Sequence, residues 1–188
     1  IEKMRIGYEP REKPQDIEAA RKMGLVSQKG FYLPAKSIIT PFTLYGKIAL
    51  LVFYRPGQEP KYFYPAGWPK PLIGADIISR SQEIYLTEGV FDYLCMLQAG
   101  FPVLCSFGTR LNENQKQQLA RAKRVFTAFD GDGPGRDAAL QICREFFPSA
   151  RMLELPDDKD INDLFIEDAD NFKERIEELR SASKDILE

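Results

Sequence analysis

The chain has 188 residues, 44% of them apolar, a formal net charge of −2 and no histidine. That length can bury a core as one large domain or two small lobes, and the missing histidine excludes Ser-His and Cys-His nucleophilic schemes and any histidine-containing zinc site. No apolar run approaches a membrane span and no signal peptide is visible. Cys95, Cys105 and Cys143 lie in apolar segments without metal-ligand spacing, as reduced core thiols of a cytoplasmic protein do.

Residues 1–15 are polar, carry Pro10 and Pro14, and read as a linker; because the chain opens on Ile1, it reads as a piece excised from a longer protein. A short helix is expected from Gln15 to Met23, stopped by Gly24. Leu25 to Phe42 mixes short β-prone pieces with Gly30, Pro34 and Pro41. Ile48 to Tyr54 and Lys61 to Tyr64 predict two strands, and Pro56-Gly57 between them suits a type II turn. Pro65 to Pro71, with Trp68, reads as a loop.

From Glu83 the rhythm changes to alternating strands and helices. Strands are expected at Ile84–Thr87, Val103–Cys105, Val125–Phe129 and Met152–Leu155, with a helix over Val90–Ala99. A second helix, capped by Asn112 with Gln115 as capping-box partner, runs to about Ala122. A third starts at Pro134 and repeats Ala138, Ile142 and Phe146 on one face. Short, nearly continuous apolar strands of this kind predict a parallel sheet with helices on both faces. Phe172, Ile176 and Leu179 share a face of a docking helix in the tail.

Charge is unevenly spread. Residues 1–80 hold 13 Lys+Arg against 7 Asp+Glu, and residues 81–188 hold 13 against 21. Ordinary scatter with an acidic tail explains this on charge alone as well as a basic lobe for a polyanion facing an acidic lobe for metal does. In a parallel sheet ligands bind beyond the carboxyl ends of the strands. Three predicted strands end in acid there: Glu88 after the first, Asp130 and Asp132 after the third, and Asp157, Asp158, Asp160 and Asp163 after the last. Asp130 and Asp132 sit in a glycine-rich turn that holds like charges close, a repulsion that hard oxygen-binding Mg²⁺ would remove. A dinucleotide fingerprint fails there because Arg136 stands where the third glycine should fall. No Gly-x-x-x-x-Gly-Lys phosphate loop is present. A phospho-acceptor receiver domain needs a lysine after its last strand, and the candidate, Lys159, is embedded among aspartates.

Thr87-Glu88-Gly89-Val90-Phe91-Asp92, then Ser106-Phe107-Gly108-Thr109, then Phe129-Asp130-Gly131-Asp132 with Gly135-Arg136-Asp137-Ala138-Ala139 resemble, in order and spacing, the TOPRIM core of bacterial DnaG-type primases. Lys159-Asp160-Ile161-Asn162-Asp163 looks like the later acidic motif of those primases and of phage primase–helicases. Upstream, Met23-Gly24-Leu25-Val26, the strands after Pro41 and Pro60-Lys61-Tyr62 look like the basic lobe that precedes TOPRIM in primases. The resemblance covers roughly residues 15–165. It implies an α/β protein with a small basic α+β lobe at 1–80, a TOPRIM domain at 81–165 and a helical tail at 166–188.

The same resemblance implies an enzyme that makes short RNA primers on a single-stranded DNA template from ribonucleoside triphosphates. Two divalent ions, Mg²⁺ or Mn²⁺, would be held by Asp130, Asp132 and Asp160, with Glu88 as a ligand or a proton acceptor. Asp92 would complete the acidic cluster or hold it in place, and Gly89 and Gly108 would let backbone approach the phosphates. Arg136 would pair with a triphosphate oxygen or with a nearby aspartate. Lys61 and Lys70 would contact template or nucleotide phosphates, with Tyr62, Tyr64 and Trp68 either stacking on bases or packing in the core.

Departures from the family pattern bear on activity. The usual N-terminal zinc module lacks its ligand set in this sequence, so no zinc is expected in it, and a replicative helicase would be met through domains the sequence does not include. Asn162 stands where many primases have an acid. A TOPRIM nuclease or topoisomerase fragment, and a non-catalytic TOPRIM-like module that binds DNA or protein, are the competing readings. A phage or mobile element is a candidate origin.

Overall fold

The computed structural model describes residues 5–65, 67–78 and 83–183. Among them the chain forms two compact units, one up to Pro71 and the other from Leu72 on. The boundary expected at 80/81 lies outside the described residues.

The first unit is a four-stranded antiparallel sheet in chain order: β1 (Gly7–Glu9), β2 (Ser37–Leu44), β3 (Lys47–Tyr54) and β4 (Tyr62–Phe63). Helix α1 (Ile17–Lys22) starts on Asp16, whose carboxylate accepts the Ala19 N–H. The expectation of a linker over residues 1–15 is corrected here, since Gly7–Glu9 pairs with Ser37–Ile39. Polarity concealed the strand because Glu9, although buried, is satisfied: Arg11 donates to it at 2.6 and 2.7 Å and the Tyr32 hydroxyl at 3.4 Å. Arg11, first among the causes, holds the Glu9 carboxyl down at about 2. Pro41, which falls among the short β-prone pieces of the sequence, lies inside β2 opposite Leu51. β1 covers only Ser37–Ile39, so β2 is an edge strand from Thr40 on, where proline is tolerated. The β2–β3 turn takes Tyr45 and Gly46 through positive φ, and Gly57 does the same after Pro56.

The second unit follows the expected alternation: β5 (Glu83–Thr87), α2 (Val90–Gln98), β6 (Val103–Cys105), α3 (Glu113–Leu119), β7 (Arg124–Ala128), α4 (Gly133–Glu145), β8 (Ala150–Met152), α5 (Ile161–Glu167) and α6 (Phe172–Ser181). Its sheet is wholly parallel, ordered β6-β5-β7-β8 and flanked by helices. Ile84, Leu86, Val103, Leu104, Val125 and Phe126 are buried, as strands covered on both faces require. The Asn112–Gln115 capping box forms as expected, and Asp132 caps α4 just ahead of Pro134. Two corrections apply. β8 lies at Ala150–Met152 rather than Met152–Leu155, although Leu153 continues the ladder by donating to the Thr127 carbonyl. α5 was not expected at all, because four aspartates within seven residues outweighed its short apolar stripe of Ile161 and Leu164. Cys95, Cys105 and Cys143 are buried free thiols. No helix among the described residues is long and apolar enough to cross a membrane.

Candidate active site

The sheet order explains where the acids meet. The chain leaves β5 for β6 on one side, then returns past β5 to form β7 and β8 on the other. The crevice of such a sheet opens between the two strands where the direction reverses, here β5 and β7. Glu88 follows β5, Asp130 and Asp132 follow β7, and the loop after β8 carries Asp157, Asp158 and Asp160.

Backbone hydrogen bonds lace the last two loops together. Gly131 N–H donates to the Lys159 carbonyl at 2.8 Å, and Asp158 N–H donates to the Gly131 carbonyl at 3.3 Å. At that seam a Cβ on residue 131 would lie 2.1 Å from the Pro156 carbonyl oxygen, so only glycine fits. Gly131→Ala should therefore cost about 2–3 kcal/mol and lower the melting temperature by about 5–10 °C. Gly133→Ala, where an added Cβ meets nothing within 4 Å, is the matched control and should melt with the wild type. Equal melting of the two variants would mean that the seam does not hold the loops.

Each loop also ends in a helix cap. Asp132 Oδ1 accepts the Gly135 N–H at 2.7 Å, and Asp160 Oδ1 accepts the Asp163 N–H at 2.6 Å. Asp163 Oδ2 returns the bond from Asp160 N–H at 3.3 Å. These caps fix three carboxylates while engaging one oxygen of each. Asp130, Asp132, Asp158, Asp160 and Asp163, with Lys159, line an open cleft of about 210 Å³.

Burial, and then Asp160, Asp132 and Asp163, push the half-buried Asp130 carboxyl up. Asp92 projects from α2 and is 6% exposed, and its Oδ1 accepts the Asn162 N–H at 3.0 Å. Burial first, then Asp160 and Asp130, raise its carboxyl to about 7, against the opposing Asn162 bond. Gly89 makes room for it, since a Cβ there would sit 2.3 Å from Asp92 Oδ2. The Asn162 amide oxygen in turn accepts the Cys95 thiol at 3.5 Å.

The structure thus brings Asp130, Asp132 and Asp160 into one cleft, with Asp92 buried beside the start of α5. Asp158 and Asp163, read on sequence as acids beyond the last strand but not as metal ligands, also line the cleft; Asp163 completes a capping box with Asp160. Glu88 is half-buried at the end of β5 and does not line the cleft; its carbonyl accepts the Cys105 thiol at 3.5 Å. Arg136 pairs with Asp157 at 2.5 Å and also donates to the Leu155 carbonyl. Gly108 sits at φ 147°, a glycine conformation, with its carbonyl accepting Ser106 Oγ at 2.8 Å. In the first unit Lys61 Nζ lies 5.8 Å from the ring centres of Tyr54 and Tyr62, which are 5.3 Å apart, and Lys70 Nζ lies 4.4 Å from Tyr64. Tyr62, Tyr64 and Trp68 are half-buried rather than core. Arg55, passed over on sequence, stacks 3.9 Å over Phe63.

Hard carboxylate oxygens with no imidazole and only buried thiols suit Mg²⁺ or Mn²⁺. The mutual repulsion that raises Asp130 is what such an ion relieves. Among the described residues no three acids stand close enough together to hold one ion.

Residues 85–165 match the Toprim-like family model. A DNA primase of Lactococcus lactis subsp. lactis is 33% identical over 86 residues, which are 44% of this chain and 14% of that protein. The chain therefore spans only a small part of this curated relative. The DnaG catalytic core has the same fold, with a TM-score of 0.79 at 18% identity over 98% of this chain and 68% of that one. The zinc-binding and RNA polymerase domains of the Aquifex aeolicus primase match at a TM-score of 0.78 and 23% identity, over 98% of this chain and 52% of that one.

Proposed function

We propose that this chain is the catalytic core of a DNA primase, which copies single-stranded DNA into short RNA primers from ribonucleoside triphosphates. The observation that carries the reading is the carboxylate cleft beyond the carboxyl ends of β7 and β8 in a Toprim-like, DnaG-like fold. Asp130, Asp132 and Asp160 would hold divalent metal, Mg²⁺ or Mn²⁺, as a pair of ions. When bound, the ions lower the pKa of the attacking 3′-hydroxyl and neutralise the triphosphate.

In this reading the hydroxyl attacks the α-phosphorus, its proton leaves to a base, and the bond to pyrophosphate breaks. Glu88, half-buried at the end of β5, would serve as a further ligand or as the acceptor of that proton. Asp132 and Asp160 are pre-oriented by the helices they cap, so they lose little freedom on engaging the ions. Gly108, where an added Cβ would meet nothing within 4 Å, would let backbone approach phosphate, whereas the space at Gly89 is taken by Asp92. Arg136 is held by Asp157 and would have to exchange that partner to reach a phosphate.

Lys61 and Lys70, over the half-buried tyrosines of the first unit, would meet template or nucleotide phosphates. Lys61→Ala should weaken single-stranded DNA or nucleotide binding roughly three- to tenfold and flatten its salt dependence by about one unit, with the melting temperature unchanged. Unchanged binding would remove the basic-lobe assignment. We further infer a cytoplasmic protein that meets a replicative helicase through other parts of its polypeptide.

The test is incubation with single-stranded DNA, labelled ribonucleotides and Mg²⁺ or Mn²⁺. Template-dependent short RNA supports the reading. Cleaved DNA without synthesis points to a Toprim nuclease. A chain that neither reacts nor binds Mn²⁺ is a non-catalytic DNA- or protein-binding module.

A further inference from the structure

Among the described residues Lys159 is the one cation lining the cleft, beside five aspartates, and it neighbours two of them in sequence. An ammonium so placed would be expected to pair with the cleft. Its ion pair among the described residues runs elsewhere: Nζ lies 3.0 Å from Glu167 Oε1, at the far end of α5. The other oxygen of Glu167 accepts Arg175 of α6 at 2.8 Å. Glu167 is thus held from two sides, and the lysine is tethered to an acid that is not part of the cleft.

We infer that Glu167 is a positioning residue that holds the Lys159 ammonium off the aspartates of the cleft and so reserves the cleft's negative charge for a divalent cation. The inference rests on the metal-binding reading proposed above. Without Glu167 the ammonium is free to turn to Asp158 and Asp160, its neighbours in sequence, or to Asp163, and a tethered cation competes with a free one at high effective concentration. An alternative role for Glu167, stitching α5 to α6 for stability alone, predicts no link between its loss and Lys159.

A double-mutant cycle separates the two. Mn²⁺ binding to the full chain is measured by titration, without nucleic acid, for the wild type, E167Q, K159Q and the K159Q/E167Q pair. E167Q should weaken Mn²⁺ binding roughly tenfold at low ionic strength, and less as salt screens the freed charge. K159Q should bind at least as tightly as the wild type, and the double variant should recover to within about twofold of K159Q. An E167Q affinity equal to the wild type overturns the inference. So does a double variant as weak as E167Q, because the defect would then not pass through Lys159. A wild type that binds no Mn²⁺ overturns the metal reading itself, and the inference falls with it. Thermal melts of all four proteins check that these surface substitutions leave the fold intact.

Discussion

Asp130→Asn is expected to abolish primer synthesis, by roughly a hundredfold or more, without harming the fold. The argument has two halves. Asp130 stands between Asp132 on its own loop and Asp160 across the seam, so in the proposed site it is the ligand common to both metal-bearing loops. An amide keeps the shape of the side chain but offers a neutral, weaker ligand to the ion. In the absence of metal, by contrast, Asp130 is a source of strain: burial and three neighbouring carboxylates push its carboxyl up, and each cause disappears in Asn. The variant should therefore melt at or slightly above the wild-type temperature without metal, and should lack the stabilisation that Mg²⁺ is expected to confer on the wild type. Activity loss accompanied by a fall in melting temperature would mean that Asp130 is structural. Full activity would remove it from the site.

The parts of this site that were legible in the sequence are those in which one signal suffices. Val125–Phe129 is apolar but for Thr127, so its strand and the two aspartates after it could be placed together. The Asn112–Gln115 box is a local motif and forms without help from distant contacts. What stayed hidden depends on partners far along the chain. Gly7–Glu9 is polar in sequence and becomes a strand only because β2 pairs with it and Arg11 and Tyr32 satisfy Glu9. Pro41 argues against a strand interior unless the short reach of β1 is known. The backbone seam between Gly131 and Lys159 joins residues 28 apart, and no local pattern announces it. The ion pairs of Lys159 and Arg136 are decided by geometry for the same reason: many acids lie within reach in sequence, and only the folded loops choose among them.

Asp92 turns this geometry into a pH dependence. The folded protein keeps the Asp92 proton to about pH 7, whereas an unfolded chain releases it near the ordinary value of 3.8. Between those values the native state binds more protons than the unfolded state, so stability falls as pH rises. Above pH 7 the cost levels off at up to about 4 kcal/mol, the equivalent of three pKa units. Asp92→Asn keeps the acceptor for Asn162 N–H and removes the charge. The variant and the wild type should therefore melt alike near about pH 5, with the variant ahead by several degrees near about pH 8. Parallel stability curves across that range would sink the assignment. Metal enters through the same linkage, because Asp160 and Asp130 contribute to the shift and a cation on them favours ionised Asp92. Mg²⁺ should then bind more tightly as pH rises through 7, with release of a proton, and Asp92→Asn should lose that component. Burial, the largest cause, is untouched by the ion, so a reduced pH dependence should persist even at saturating Mg²⁺.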